Sequence, residues 1–275
     1  MNFTKMQGAG NDFIILDNRN GEYTEDALPE LARTLCARKV SVGADGMMVL
    51  FPPNDDGDIS MLFYNTDGTL GEMCGNGARC IARYAYDHGL SGKMQKIETT
   101  AGLVIARRLS ENTYCVRLND PSVLIEHQGL MIEGIIECFY TELGDPGIPH
   151  AVVELPWWEE LPRHELAEIG AAIRHFHEFP KGCNVTFWKE LSPNHLKAIT
   201  YERGVEDFTM ACGTGAGSTA ACYMLMGRGR PDEAVLLDFP GGTLEVSLTA
   251  EDGTVREIYL TGPAVVVAEG TYIGR

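Results

Sequence analysis

Glu72-Met-Cys74-Gly-Asn-Gly-Ala-Arg79 and Met210-Ala-Cys212-Gly-Thr-Gly-Ala-Gly217 are two versions of one phrase. Each sets a cysteine against a Gly-x-Gly turn and follows it with a run of small residues that suits a helix. The likeness spreads outward. Asn65 stands nine residues before Cys74, and Arg203 stands nine before Cys212. Downstream, Val116-Arg-Leu-Asn-Asp-Pro-Ser-Val-Leu124 parallels Ile258-Tyr-Leu-Thr-Gly-Pro-Ala-Val-Val266. The two cysteines lie 138 residues apart, and Pro121 and Pro263 lie 142 apart. A nearly constant shift means an internal duplication, with one cysteine at the same place in each copy.

The duplication divides the 275 residues into two domains, 1–119 and 120–263, each long enough to bury its own core. The net charge of −17, from 22 basic and 39 acidic residues, repels phosphate backbones and argues against nucleic acid as a partner. The opening residues lack a charged and then apolar leader, and no apolar run approaches the ~20 residues of a membrane helix. A cytoplasmic protein with no membrane partner is expected. The eight cysteines include no Cys-x-x-Cys pair, so neither a disulfide framework nor a zinc site is expected, and no metal.

Phe13–Leu16, Met47–Phe51 and Ile59–Tyr64 read as strands, and Ala27–Arg38 has helical spacing of apolar residues. Gly75–Leu90 is a helix candidate ended by His88-Gly89, and Ile97–Val123 is again strand-rich. The second half restarts with strands Cys138–Leu143 and His150–Leu155 and a helix from Pro162 to about His175. Strands Asn184–Trp188 and Lys197–Tyr201 and helix Gly213–Met226 follow. A tail of three strands then turns at Asp252-Gly253. The pattern predicts an α+β fold of two similar domains packed face to face, with a last strand, Ala264–Val267, and the segment 264–275 returning to the first domain.

The first N–H groups of a helix have no intrahelical partner and carry the positive end of its dipole. A cysteine just before such a start has its thiolate stabilised, and its pKa is expected to fall. The same N–H groups hold anions, carboxylates included. Two such units facing one small carboxylate would place a thiol on each side of the adjacent carbon. One thiolate removes a proton and the other thiol supplies one, which inverts a stereocentre. The N–H groups must then stabilise the charge that develops on the carboxylate. This chemistry needs no electron-sink cofactor, and no phosphate-cup motif for pyridoxal phosphate is evident, so no cofactor is expected. The remaining cysteines, 36, 80, 115, 138, 183 and 222, read as small buried hydrophobes.

The chain closely resembles the diaminopimelate epimerase family. The resemblance runs over nearly the whole sequence: Phe3-Thr-Lys-Met6, Gly10-Asn-Asp-Phe13, Gly43-Ala-Asp-Gly46, Asn65-x-Asp-Gly68, Met73-Cys-Gly-Asn-Gly77 with Arg79-Cys80, Tyr201-Glu-Arg-Gly204 and Ala211-Cys-Gly-Thr-Gly215. It implies two pseudo-symmetric domains, each a strand-rich, barrel-like sheet around a central helix, and a homodimer. It implies an isomerase that interconverts LL- and meso-diaminopimelate for lysine and peptidoglycan precursors. Cys74 and Cys212 would be the acid/base thiols. Gly75, Asn76, Gly213 and Thr214 would offer backbone N–H groups to the reacting carboxylate. Asn11, Asn65, Asn184, Glu202 and Arg203 would hold the amino and carboxylate groups, Arg203 gripping the distant carboxylate.

The sequence departs from the family pattern in places. Gly147-Ile-Pro-His150 stands where many members have Gly-Asn-Pro-His, Gly46 where some have glutamine, and Gln7 in place of a usual histidine. Proline racemase relatives share the paired-cysteine plan but put histidine after the first Cys-Gly, where this chain has Asn76. A racemase or epimerase of a different amino acid, without pyridoxal phosphate, is the alternative. His150, alone beside a strand, reads as structural.

Overall fold

The computed structural model describes residues 1–71, 74–131 and 135–274, so Glu72 and Met73 of the first repeat lie outside the described residues. The chain opens with a hairpin, β1 (Asn2–Gly8) and β2 (Asn11–Asp17), joined through Ala9 and Gly10, both at positive φ. α1 (Leu28–Cys36) buries Leu28, Ala32, Leu35 and Cys36, the spacing that turns one helical face to the core. Then come β3 (Gly46–Phe51), β4 (Ile59–Asn65), α2 (Gly75–Asp87), β5 (Met94–Thr99), β6 (Gly102–Arg108) and β7 (Thr113–Arg117). β2 and β3 are parallel, β3 and β4 antiparallel, β4 and β5 parallel, and β5 and β6 antiparallel.

The second half follows with β8 (Pro121–Met131), β9 (Ile135–Gly144), β10 (Gly147–Glu154), α3 (Arg163–Arg174), β11 (Asn184–Ser192), β12 (His195–Glu202), β13 (Asp207–Phe208) and α4 (Gly213–Leu225). β14 (Val235–Phe239), β15 (Gly242–Glu251), β16 (Thr254–Pro263) and β17 (Val265–Thr271) complete it. β10 and β11 are parallel, β11 and β12 antiparallel, β12 and β14 parallel, and β14 and β15 antiparallel. The order of pairings from β2 to β6 is thus repeated from β10 to β15, each parallel step bridged by a helix. The fold is α+β and internally repeated.

The residues fall into two compact units, 1–116 with 261–275, and 117–260. In the first unit β17 lies antiparallel to β1, Asn2 opposite Thr271. α2 and α4 are the inner helices of their units. Both are 13 residues long, and both end before a glycine with φ 68, Gly89 and Gly227. Every residue of α4 from Gly213 to Tyr223 is buried, which small side chains allow. A Cβ on Gly217 would come within 2.7 Å of Leu118.

Two differences from the sequence pattern stand out. The β8–β9 hairpin begins well before Cys138, because a register shift between Ile125 and Gln128 breaks the alternation of its first strand. The stretch after α4 holds four strands, the short β14 among them.

Candidate active-site residues

In the first unit the candidate residues gather at one end of the sheet. Asn11 opens β2, Gly46 opens β3 and Asn65 closes β4. Phe13 pairs with Gly46, and Gly46 with Asn65. Cys74 is the N-cap of α2 with extended backbone, φ −110 and ψ 114, and is half-buried. The Ala78 N–H closes the first turn on the Cys74 carbonyl at 2.8 Å, so the N–H groups of residues 75–77 precede the helical ladder. The Asn76 side chain is buried and donates to Asn11 Oδ1 at 2.6 Å. Asn65 Nδ2 donates to Thr69 Oγ1 at 3.0 Å, within the turn that Gly68 closes.

The second unit repeats this layout. Ile148 and His150 lie near the start of β10, Asn184 opens β11 opposite His150, and Glu202 closes β12. Cys212 is the N-cap of α4, φ −116 and ψ 115, close to the dihedrals of Cys74. Its sulfur accepts the Gly215 N–H at 3.3 Å and stands 3.6 Å from Thr214 Oγ1. A Cβ on Gly215 would lie 2.8 Å from Thr186 Oγ1 and 3.0 Å from Thr200 Oγ1, so glycine is what lets this N–H reach the thiol. Asn184 Oδ1 accepts the Arg203 N–H at 2.8 Å, and Arg203 Nη1 donates to the Lys181 carbonyl at 3.2 Å. Thr209 Oγ1 donates to Glu202 Oε1 at 2.8 Å.

The expected lowering of the thiol pKa does not hold for Cys212. Burial pushes it well above its usual value, and the Glu202 carboxylate pushes it further. The Thr214 hydroxyl and the Gly215 N–H pull the other way without offsetting burial. Cys212 is therefore held as the thiol. Of the six other cysteines, all buried, burial drives Cys36, Cys80, Cys138 and Cys183 up to about 12. They are inert packing groups, as their sequence settings suggested.

His150 is not merely a strand residue. It is fully buried, with Nε2 2.9 Å from Thr214 Oγ1 and 3.4 Å from Asn184 Nδ2. Burial, assisted by the Arg203 charge, drives its pKa down to about 3, so it is neutral. Its alternation with Ile148, opposite the strand that begins at Asn184, is the signal that could have placed it here. Arg79, quoted in the repeat but given no role, is also fully buried and reaches the Asn76 side chain. Gly46 has a steric reason: a Cβ there would lie 2.4 Å from Phe63 Cε2, so the Phe63 ring takes the space of a larger side chain. Among the described residues no cluster of His, Cys, Asp and Glu is arranged to hold a metal ion, and no helix is long and apolar enough to cross a membrane.

The sequence model of the family described as Diaminopimelate epimerase matches residues 3–123 and 144–267. Diaminopimelate epimerase of Aquifex aeolicus (strain VF5) is 37% identical over 282 residues, covering 98% of this chain and 97% of that protein. Diaminopimelate epimerase of Methanothrix thermoacetophila is 35% identical over 279 residues, covering 98% of this chain and 95% of that protein. Among solved structures, a Bacillus anthracis phenazine biosynthesis protein of the PhzF family superposes with TM-score 0.74 at 16% identity, over 98% of each chain. A hydroxyproline epimerase from Agrobacterium vitis superposes with TM-score 0.72 at 19% identity, over 98% of this chain and 90% of that one. The two structural likenesses are likenesses of fold.

Proposed function

Because the chain belongs to the diaminopimelate epimerase family, we propose that it interconverts LL- and meso-2,6-diaminopimelate without pyridoxal phosphate, supplying lysine and peptidoglycan precursors. One cysteine thiolate takes the Cα proton and becomes a thiol. The other cysteine, a thiol, gives its proton to the opposite face of the carbon and becomes a thiolate. Protons balance, and the reverse reaction exchanges the two roles. The charge that moves onto the carboxylate is met by backbone N–H groups of Gly75, Asn76, Gly213 and Thr214. Asn11, Asn65, Asn184, Glu202 and Arg203 bind the amino groups and the distal carboxylate, the Arg203 fork suiting a carboxylate. The proposed enzyme is a cytoplasmic homodimer, and light scattering on the purified protein tests that state.

The observation that carries this reading is the equivalence of Cys74 and Cys212. Each is the extended N-cap of a 13-residue inner helix, with φ and ψ matching within 6° and 1° (−110 against −116, and 114 against 115). Packing alone does not require a cysteine at both places. The test is proton exchange in D2O. Incubation with LL-diaminopimelate should give the meso isomer with deuterium at Cα. Exchange with another amino acid, and none with diaminopimelate, would overturn the substrate. Full activity of Cys74→Ser or Cys212→Ser would overturn the two-thiol chemistry.

A further inference from the structure

The turn that carries Arg203 has a counterpart in the first copy of the repeat. At the shift of 138 residues that relates the two cysteines, Arg203-Gly-Val-Glu206 lies over Asn65-Thr-Asp-Gly68. Both turns lie at the end of a strand, β12 and β4, and both enter the left-handed region at their fourth residue. In the first copy that residue is Gly68, φ 82, the default choice for such a backbone. In the second it is Glu206, φ 57, where a side chain is disfavoured. A glutamate in this conformation persists only where its surroundings hold it.

The surroundings do so. Glu206 Oε1 accepts the Gly204 N–H at 3.0 Å. The same oxygen lies 3.3 Å from Nε and 3.2 Å from Nη2 of Arg174, the last residue of α3, whose side chain is only 14% exposed. His175 Nε2 stands 3.6 Å from Oε2. Burial works to raise the Glu206 carboxyl, but the Gly204 N–H and Arg174 outweigh it and hold it below the usual carboxylate range. The first copy also sets an arginine against this turn. Arg33, in the last turn of α1, donates to the Asp67 carbonyl at 3.0 Å, and a Cβ on Gly68 would run into its Nη1. There the arginine takes the space of a side chain; in the second copy Arg174 binds one.

Arg203 is thereby held on both sides of its Cα. Its own N–H donates to Asn184 Oδ1 at 2.8 Å, and the next N–H, that of Gly204, goes to Glu206. Its Nη1 donates to the Lys181 carbonyl at 3.2 Å. The adjacent Gly182 leaves room for Arg174, since a Cβ there would run into Arg174 Nη1. Arg174 thus packs against both the turn and the segment that receives the Arg203 side chain.

We infer that Glu206 is a positioning residue for the substrate: anchored on Arg174, its carboxylate fixes the peptide after Arg203 and so aims the Arg203 guanidinium at the distal carboxylate. This rests on the proposed role of Arg203 and adds the residue through which that arginine is set. Acting through Arg203, it alters KM more than kcat.

The experiment compares steady-state kinetics on LL-diaminopimelate for Glu206→Gly, which supplies the residue of the first copy, and Arg174→Gln. Each should raise KM about fivefold with kcat within about twofold of the parent. In an Arg203→Gln background, Glu206→Gly should raise KM no further. Timed trypsin digestion, read by mass spectrometry, follows cleavage of the Arg203–Gly204 bond in Arg174→Gln, whose sequence around that bond is the parent's. Its rate should rise at least about fivefold. An unchanged KM in folded Glu206→Gly would overturn the inference, as would an equal further rise in the Arg203→Gln background or a parental cleavage rate in Arg174→Gln. Loss of the native circular dichroism spectrum in both variants would make the pair a folding contact and overturn it equally. A parent inactive on diaminopimelate would sink the proposed function and the substrate named here, while the trypsin rate would still decide whether the pair holds Arg203.

Discussion

His150 Nε2 and Thr214 Oγ1 stand 2.9 Å apart, both residues buried, and the same hydroxyl lies 3.6 Å from the Cys212 sulfur. Thr214 therefore links a neutral imidazole to a thiol. Its hydroxyl lowers the Cys212 pKa against the larger effect of burial.

Thr214→Val keeps the shape and removes the hydroxyl. The Cys212 thiol should become harder to ionise, and kcat/KM should fall by about tenfold, the value of roughly one hydrogen bond. In the direction in which Cys212 acts as the base, the low-pH limb of the rate profile should move to higher pH. A pH–rate profile in both directions checks this, and an unshifted limb would contradict it.

Glu202→Gln removes the carboxylate that, after burial, does most to raise the Cys212 pKa. The Cys212 alkylation midpoint should move to lower pH even as turnover declines. A midpoint that stays put or rises would show that the carboxylate does not act on this sulfur.

His150 takes up a proton at pH 6.5 when free but only at about 3 in the folded protein. The unfolded chain therefore binds the extra proton between those values, so stability is full above the window and is lost as pH falls through it. Denaturant unfolding should show a slope from this residue approaching ~1.4 kcal/mol per pH unit in the middle of the window. His150→Asn should flatten that slope, and an equally steep acid loss in the variant would assign it to other groups.

Gly215→Ala places a Cβ 2.8 Å from Thr186 Oγ1, beneath the N–H that serves Cys212. The overpacking should cost about 1–3 kcal/mol of stability and should displace that N–H. Thermal denaturation and kcat measured together should both decline. A variant of parental stability would mean that the Thr186–Thr200 pair moves aside.

Ile148 sits near the start of β10, two residues before His150 and so on the same face of the strand. Ile148→Asn adds a carboxamide there, and the KM for diaminopimelate should fall by roughly threefold or more with kcat retained. Steady-state kinetics decide this, and an unchanged or higher KM would mean that the isoleucine is not facing substrate.

The sequence by itself determined the duplication, the inner helices and the two cysteines at their starts, because each of these is local. A Gly-x-Gly turn and a run of small residues depend on near neighbours, and a repeat needs only counting. It also placed Asn11, Asn65, Asn184, Glu202 and Arg203 among the candidates through motif order. β9 was read over Cys138–Leu143, but most of its partner β8 and the short β14 were not legible, since a register shift and a five-residue strand leave little periodicity. Only the tertiary structure decided the electrostatics. Whether a thiol at a helix start is acidic depends on burial and on charges brought in from distant segments, and the Cys212 pKa rises because burial and Glu202 outweigh the local N–H groups. The Arg79–Asn76–Asn11 chain of hydrogen bonds spans 68 residues of sequence and forms only when α2 packs beside β2, so it belongs to the fold.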